Sequence, residues 1–241
     1  MKIYLYLLIY LSTACASYSQ IGFRSPSFLA SINAVALPPA ANFFQEFFEG
    51  TGYERGAGAP NGWVELGGAV IDEDYLISPL EGAQSLQMFH AFNQLTCTNI
   101  LSPAQSVVYF KLRFKIVDEA GGVYFFRICD SANQNLARIQ WTSADKVELT
   151  VQGGTPQLGS TTLSNGTLYY MWGWADQNAG DALLYVSSSN SKPGSTECPP
   201  VTDGDGAALG DACTVVFSTN GGGANIIVDA LEISTTGYPT P

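Results

Sequence analysis

The chain has 241 residues, a net charge of −11, 46% hydrophobic and 13% charged residues, and a single histidine, His90. That acidity leaves no basic stripe for nucleic acid, and the apolar share is too high for a disordered polymer. The absence of a fixed period excludes a collagen or a coiled coil.

The first segment reads as a targeting signal. Lys2 supplies a short positive region, Ile3 to Leu11 is an apolar run, and Ala14-Cys15-Ala16 is an A-x-A cleavage pattern. This is the layout of a secretory signal peptide over residues 1–16. The run is shorter than the roughly 20 apolar residues that a spanning helix needs. No later stretch is apolar enough to span a bilayer, so a soluble, secreted protein is expected, with no membrane span after cleavage. Cleavage leaves four cysteines: Cys97, Cys129, Cys198 and Cys213. An even number in a secreted chain favours disulfides. Cys198 and Cys213 flank a polar Gly/Asp loop, whose closure contributes about 3 kcal/mol on the chain-entropy argument. Cys97 with Cys129 is the remaining pair, unless Cys129, at a strand end, is a buried free thiol. No C-x-x-C pair points to zinc.

Residues 17–41 form a weakly charged arm, set off by Pro38-Pro39, that either docks or merely links. From Asn42 onward the pattern is strands between turns. Phe110, Leu112, Phe114 and Ile116 alternate with Lys111, Arg113 and Lys115, the period of two of a half-buried strand. Val147, Leu149 and Val151 repeat it. Further strands are predicted over 123–129, 136–142, 167–175, 182–187, 214–218 and 224–234. Turn signals separate them: Ala120 to Gly122, Ser143 to Asp145, Gly153-Gly154, Asn165-Gly166 and Asn220 to Gly223. No window holds helical periodicity over three turns. The fold class expected is all-β, one two-sheet antiparallel sandwich over 42–235 followed by a tail, 236–241. Asn165-Gly166-Thr167 is both a glycosylation sequon and a good hairpin turn.

The order of motifs carries a resemblance. Phe47-Phe48-Glu49-Gly50, then Gly62-Trp63, then Gly82 to Leu86, make an F-E-G … G-W … G-x-x-S-L opening. The middle, D-K-V-E-L … G-G-T … N-G-T-L-Y-Y-M-W, and the closing Ile226 to Ile233 follow in order. Over about 42–235 the chain resembles the concanavalin A-like (laminin-G-like) jelly-roll superfamily of lectins and carbohydrate-binding modules. The resemblance implies two sheets with a concave face, a glycan or polysaccharide partner, and a structural calcium shared by an opening-strand Glu and a last-strand Asp. Glu49 and Asp229 match those two places. Calcium prefers six to eight oxygen ligands, and an Arg or Lys partner is the alternative for acids in such apolar strands.

Sugars stack their C–H faces on flat rings, and the richest aromatic set is Tyr169, Tyr170, Trp172 and Trp174, with Trp141. Tyr170, Trp172 and Trp174 share one strand face and Tyr169 the other, so part of the set must be core. Trp63 is either a loop platform or a core plug. Trp63, Trp141, Tyr169, Trp172 and Trp174 are the candidate ligand-binding residues. Catalysis has little to stand on. Glycoside hydrolysis needs two carboxylates about 5–10 Å apart, and the E-x-D-x-x-E strand of the laminarinase-type relatives is absent. His90 sits among apolar residues, and no nucleophile, zincin or phosphate-loop motif occurs. The expectation is a secreted, non-catalytic carbohydrate-binding or adhesion module. Two alternatives stand beside it: a structural protein of an extracellular assembly, cell surface or virion that self-associates through the 17–41 arm, and a lyase or hydrolase with an unfamiliar site.

Overall fold

A computed structural model describes residues 43–48, 63–66, 80, 85–88, 94–98, 100–101, 104–118, 123–142, 145–204, 209–220 and 225–239. The chain divides into two units, Met1–Ala40 and Ala41–Pro241, and every described residue lies in the second. The signal segment, the 17–41 arm, Glu49 and His90 therefore lie outside the described residues.

Strands account for the regular structure among the described residues. They are β1 (Phe43–Glu46), β2 (Trp63–Leu66), β3 (Leu86–Met88), β4 (Gln94–Thr98), β5 (Val107–Asp118), β6 (Val123–Cys129) and β7 (Asn135–Thr142), followed by β8 (Lys146–Thr150), β9 (Gln157–Leu158), β10 (Leu168–Asp176), β11 (Asp181–Ser187), β12 (Val201–Thr202), β13 (Thr214–Asn220) and β14 (Asn225–Ser234). The opening strand differs from expectation: β1 ends at Glu46, ahead of Phe47 and Phe48. Two antiparallel sheets result. The first runs β1-β14-β5-β10-β11-β12, with β3 also on β14; the second runs β2-β4-β13-β6-β7-β8-β9. In each sheet the inner neighbours β14-β5-β10 and β4-β13-β6 are distant in sequence, the crossing pattern of a jelly-roll sandwich.

Strand alternation builds the core. On β5 the apolar set Phe110, Leu112 and Phe114 is fully buried. It meets the inward set of the second sheet: Phe110 packs edge-on to Phe126 at 5.2 Å, and Phe126 contacts Phe217 at 5.2 Å. Gly173 on β10 is required here, because any side chain would run into the Phe110 ring. A bulge on β14 sets Asp229 opposite Arg113 and Glu232 opposite Lys111, one residue more than β5 spends. Ala230 absorbs it with φ 47, and the Asp229 carboxylate accepts from the Ala230 N–H at 2.7 Å and from the Ser85 hydroxyl at 2.9 Å.

The β6–β7 hairpin is held by one buried acid. Asp130 accepts from the backbone N–H of Ala132 and Gln134 through Oδ1 and of Gly210 through Oδ2, at 2.8–2.9 Å. Asn133 takes the left-handed turn position, φ 62, which Asn tolerates well.

All four described cysteines are buried free thiols, and the two expected bridges are not formed. The order β4-β13-β6 explains one of them. Cys97 on β4 lies opposite Val215, and Cys129 on β6 lies opposite Thr214, with β13 between them. Two strand spacings of about 4.8 Å exceed the roughly 7 Å Cα limit for a disulfide. For the other pair, Cys198 follows Glu197, whose N–H donates to Leu184 of the first sheet, whereas Cys213 donates to Cys129 of the second at 3.0 Å. Burial pushes the Cys97, Cys129 and Cys198 thiols up to about 11.

Candidate functional site

The outward side of the second sheet is a grid set by its register. One row runs Gln94, Ser218, Phe125, Gln140, Glu148 and Leu158; the next runs Thr96, Val216, Arg127, Arg138 and Thr150. The alternation that sends Tyr124, Phe126 and Ile128 into the core sends Phe125 and Arg127 out. In the same way Ile139 and Trp141 point in, and Arg138 and Gln140 out. Phe125, Arg127, Asn135, Arg138 and Ser218 line a depression of about 220 Å³ on this face.

The side chains there are ordered by one another. The Arg138 guanidinium lies over the Phe125 ring, 4.3 Å from its centroid, and Arg138 Nη2 donates to Gln140 Oε1 at 2.8 Å. Burial lowers the Arg138 pKa, Glu148 opposes that shift, and the Arg127 charge adds to it. Arg127 Nε is buried with no hydrogen-bond partner among the described residues. An aromatic ring, two guanidinium groups, an amide and a hydroxyl thus share one open hollow. That set can stack against an apolar face and donate hydrogen bonds around its rim.

The aromatic residues singled out from sequence lie elsewhere. Trp63 is 3% exposed, packs on Phe48 and Phe217 at 5.9 Å, and donates its indole N–H to Glu46 Oε2 at 3.0 Å. Trp141 and Tyr169 face inward and flank Phe114 at 5.1 and 5.5 Å. These three offer no ring face to a ligand, because the sandwich core covers them. Trp172 and Trp174 point out of the first sheet. Trp172 is 1% exposed, stacks on Tyr170 at 6.1 Å, and carries Lys111 Nζ at 5.9 Å from its ring; Trp174 is half-buried. The five are not brought together, and none lines the depression.

The proposed metal pair is half in view. Asp229 is 1% exposed, bonded to Ser85 and Ala230 as above, and Glu49 is outside the described residues. Among the described residues no group of three or more His, Cys, Asp or Glu gathers around a common point.

Sequence reasoning missed Phe125, Arg127, Asn135, Arg138 and Ser218. The signal was present as alternation in VYFFRIC and LARIQWT, which puts an arginine on the polar side of both strands.

No family model matches the chain, and no curated protein matches it. Solved structures do. A sialidase matches at TM-score 0.56 and 13% identity, over 82% of this chain and 19% of the sialidase. Arcelin-5, a lectin-like defense protein from Phaseolus vulgaris, matches at TM-score 0.50 and 10% identity, over 80% of this chain and 96% of arcelin-5. A glycosyl hydrolase family 16 protein from Mycobacterium smegmatis matches at TM-score 0.50 and 15% identity, over 79% of this chain and 98% of that protein. The chain thus spans about a fifth of the sialidase and nearly all of the other two.

Proposed function

From a concanavalin A-like jelly-roll fold, we propose that this protein binds carbohydrate on the outward face of its second sheet, without catalysing a reaction. The observation that carries this reading is the depression in which Phe125 and Arg138 stack beside Arg127, Asn135 and Ser218. A sugar ring needs a flat apolar surface and hydrogen-bonding groups at its edge, and this hollow supplies both. Its size is below the roughly 300–1,000 Å³ of pockets that enclose a drug-sized ligand, which suits one unit of an exposed glycan. That a lectin-like protein shares the fold supports the class of ligand.

The non-catalytic part rests on the carboxylates. Hydrolysis on such a face uses two, an acid and a base or nucleophile. Among the described strand residues facing outward here, Glu148 is the single acid. Secretion, implied by residues 1–16, accords with an extracellular glycan partner.

A glycan array probed with purified protein tests the reading. Wild type binds a defined subset of glycans, and Phe125→Ala loses that binding at least tenfold while melting at the wild-type temperature. No glycan bound by wild type, or turnover of a polysaccharide panel, would overturn it.

A further inference from the structure

Two of the five arginines in the chain face each other directly, Arg127 on β6 opposite Arg138 on β7. Like charges directly opposite on a sheet destabilise it. The chain has twice as many acids as cations, 21 against 10, yet the row is completed by Thr96, Val216 and Thr150. Neither guanidinium has a carboxylate within ion-pair distance among the described residues. Glu148, one row away, opposes the shift of Arg138, but it faces Gln140 in register. Arg127 Nε is buried, and unpaired among the described residues, at the hollow both residues line. A buried donor left without an acceptor is unfavourable, and an oxyanion relieves both that and the repulsion.

We propose that Arg127 and Arg138 jointly hold an anionic substituent, a carboxylate or a sulfate ester, of the bound saccharide. The inference rests on the carbohydrate reading above and adds its charge class. Guanidinium forks match oxyanions with paired N–H donors. The Phe125 ring and Gln140 fix the Arg138 plane, and Arg127 Nε supplies a donor from the facing strand. The net acidity of the chain repels polyanions at long range, so their capture requires a local site of this kind.

Affinity is measured at fixed salt for polygalacturonate, a sulfated dextran, unmodified dextran and single-stranded DNA, with wild type, Arg127→Gln, Arg138→Gln and Arg138→Lys. At least one of the two acidic polysaccharides binds tenfold or more tighter than dextran and DNA, and the preferred one names the oxyanion. Each Gln variant loses at least tenfold on it while keeping the wild-type melting temperature, and Arg138→Lys falls in between. Wild-type affinity in the Gln variants, or DNA binding as tight as the polysaccharides, would overturn the charge assignment. Dextran binding equal to the acidic polymers and lost in Phe125→Ala would overturn it alone, leaving the carbohydrate reading intact. No binding to any polymer here or on the array would remove both.

Discussion

The two outer faces of the sandwich treat their cations in opposite ways. On the first sheet, Lys111 lies opposite Glu232 and Arg113 opposite Asp229, and each cation also sits over a ring, Trp172 and Tyr170. Acid, cation and aromatic follow one another across neighbouring strands, so Lys111 and Arg113 are neutralised within this face. On the second sheet Arg127 meets Arg138, and the ring under Arg138 belongs to an open hollow. One face uses charge to close itself; the other holds charge in reserve. The lesson is that aromatic density marked a face whose rings pair with its own cations, whereas like charges in register mark the face with the hollow.

Charge deletion breaks the comparison most sharply. Lys111 is 2% exposed, with its Nζ 4.0 Å from Glu232. Removing one partner of a buried pair strands the other, so Lys111→Met destabilises by about 3–5 kcal/mol. Arg127→Gln relieves a like-charge contact and stays within about 0.5 kcal/mol of wild type. Chemical denaturation of both variants checks the pair of values; equal losses would abolish the distinction between the faces.

The core common to both faces responds to pH. The Cys97, Cys129 and Cys198 thiols are raised by burial from the ordinary 9.0 to about 11. A raised pKa means that folding favours the protonated thiol. That stability is fully present below pH 9 and is lost as pH rises through 11. Melting temperature should therefore fall between pH 9 and 11, and titration in denaturant should find Cys97, Cys129, Cys198 and Cys213 reactive. A flat alkaline profile, or no reactive thiols, would show that the cysteines are paired instead.

The smallest expected effect concerns calcium at Glu49 and Asp229. Asp229 already accepts from Ser85 and from the bulge at Ala230, so a chelator should leave the melting temperature unchanged. A fall on chelation, reversed by added Ca²⁺, would assign Asp229 to a metal as well.

Much of the fold was legible because long strands repeat their period. Phe110 through Ile116 against Lys111 through Lys115 can be read only as a half-buried strand, and β6, β7, β10, β11, β13 and β14 lie close to where alternation puts them. β9 and β12, with two residues each, are too short to show a period. The opening strand was placed by the F-E-G motif at Phe47 to Gly50, and that motif begins just past the last ladder position of β1, Glu46. The site was less legible. Alternation divides Tyr169 from Tyr170 and Trp172, but it does not say which sheet's outer side stays open. That Arg127 meets Arg138 depends on the β6–β7 register, and a bulge between Ile128 and Cys129 shifts that register by one residue. Counting along the hairpin therefore misses the pair. The pairing of Cys97 with Cys129 was beyond the sequence for a similar reason: parity of cysteines carries no information about β13 lying between β4 and β6.

The central claim is that ligand binds the second sheet's outer face rather than the aromatic face of the first. It is tested most directly by one affinity measurement on two variants against the same glycan, Phe125→Ala and Trp174→Ala. The account predicts at least a tenfold loss for Phe125→Ala and wild-type affinity for Trp174→Ala. Loss at Trp174 with Phe125→Ala unaffected would contradict it and move the site to the other face.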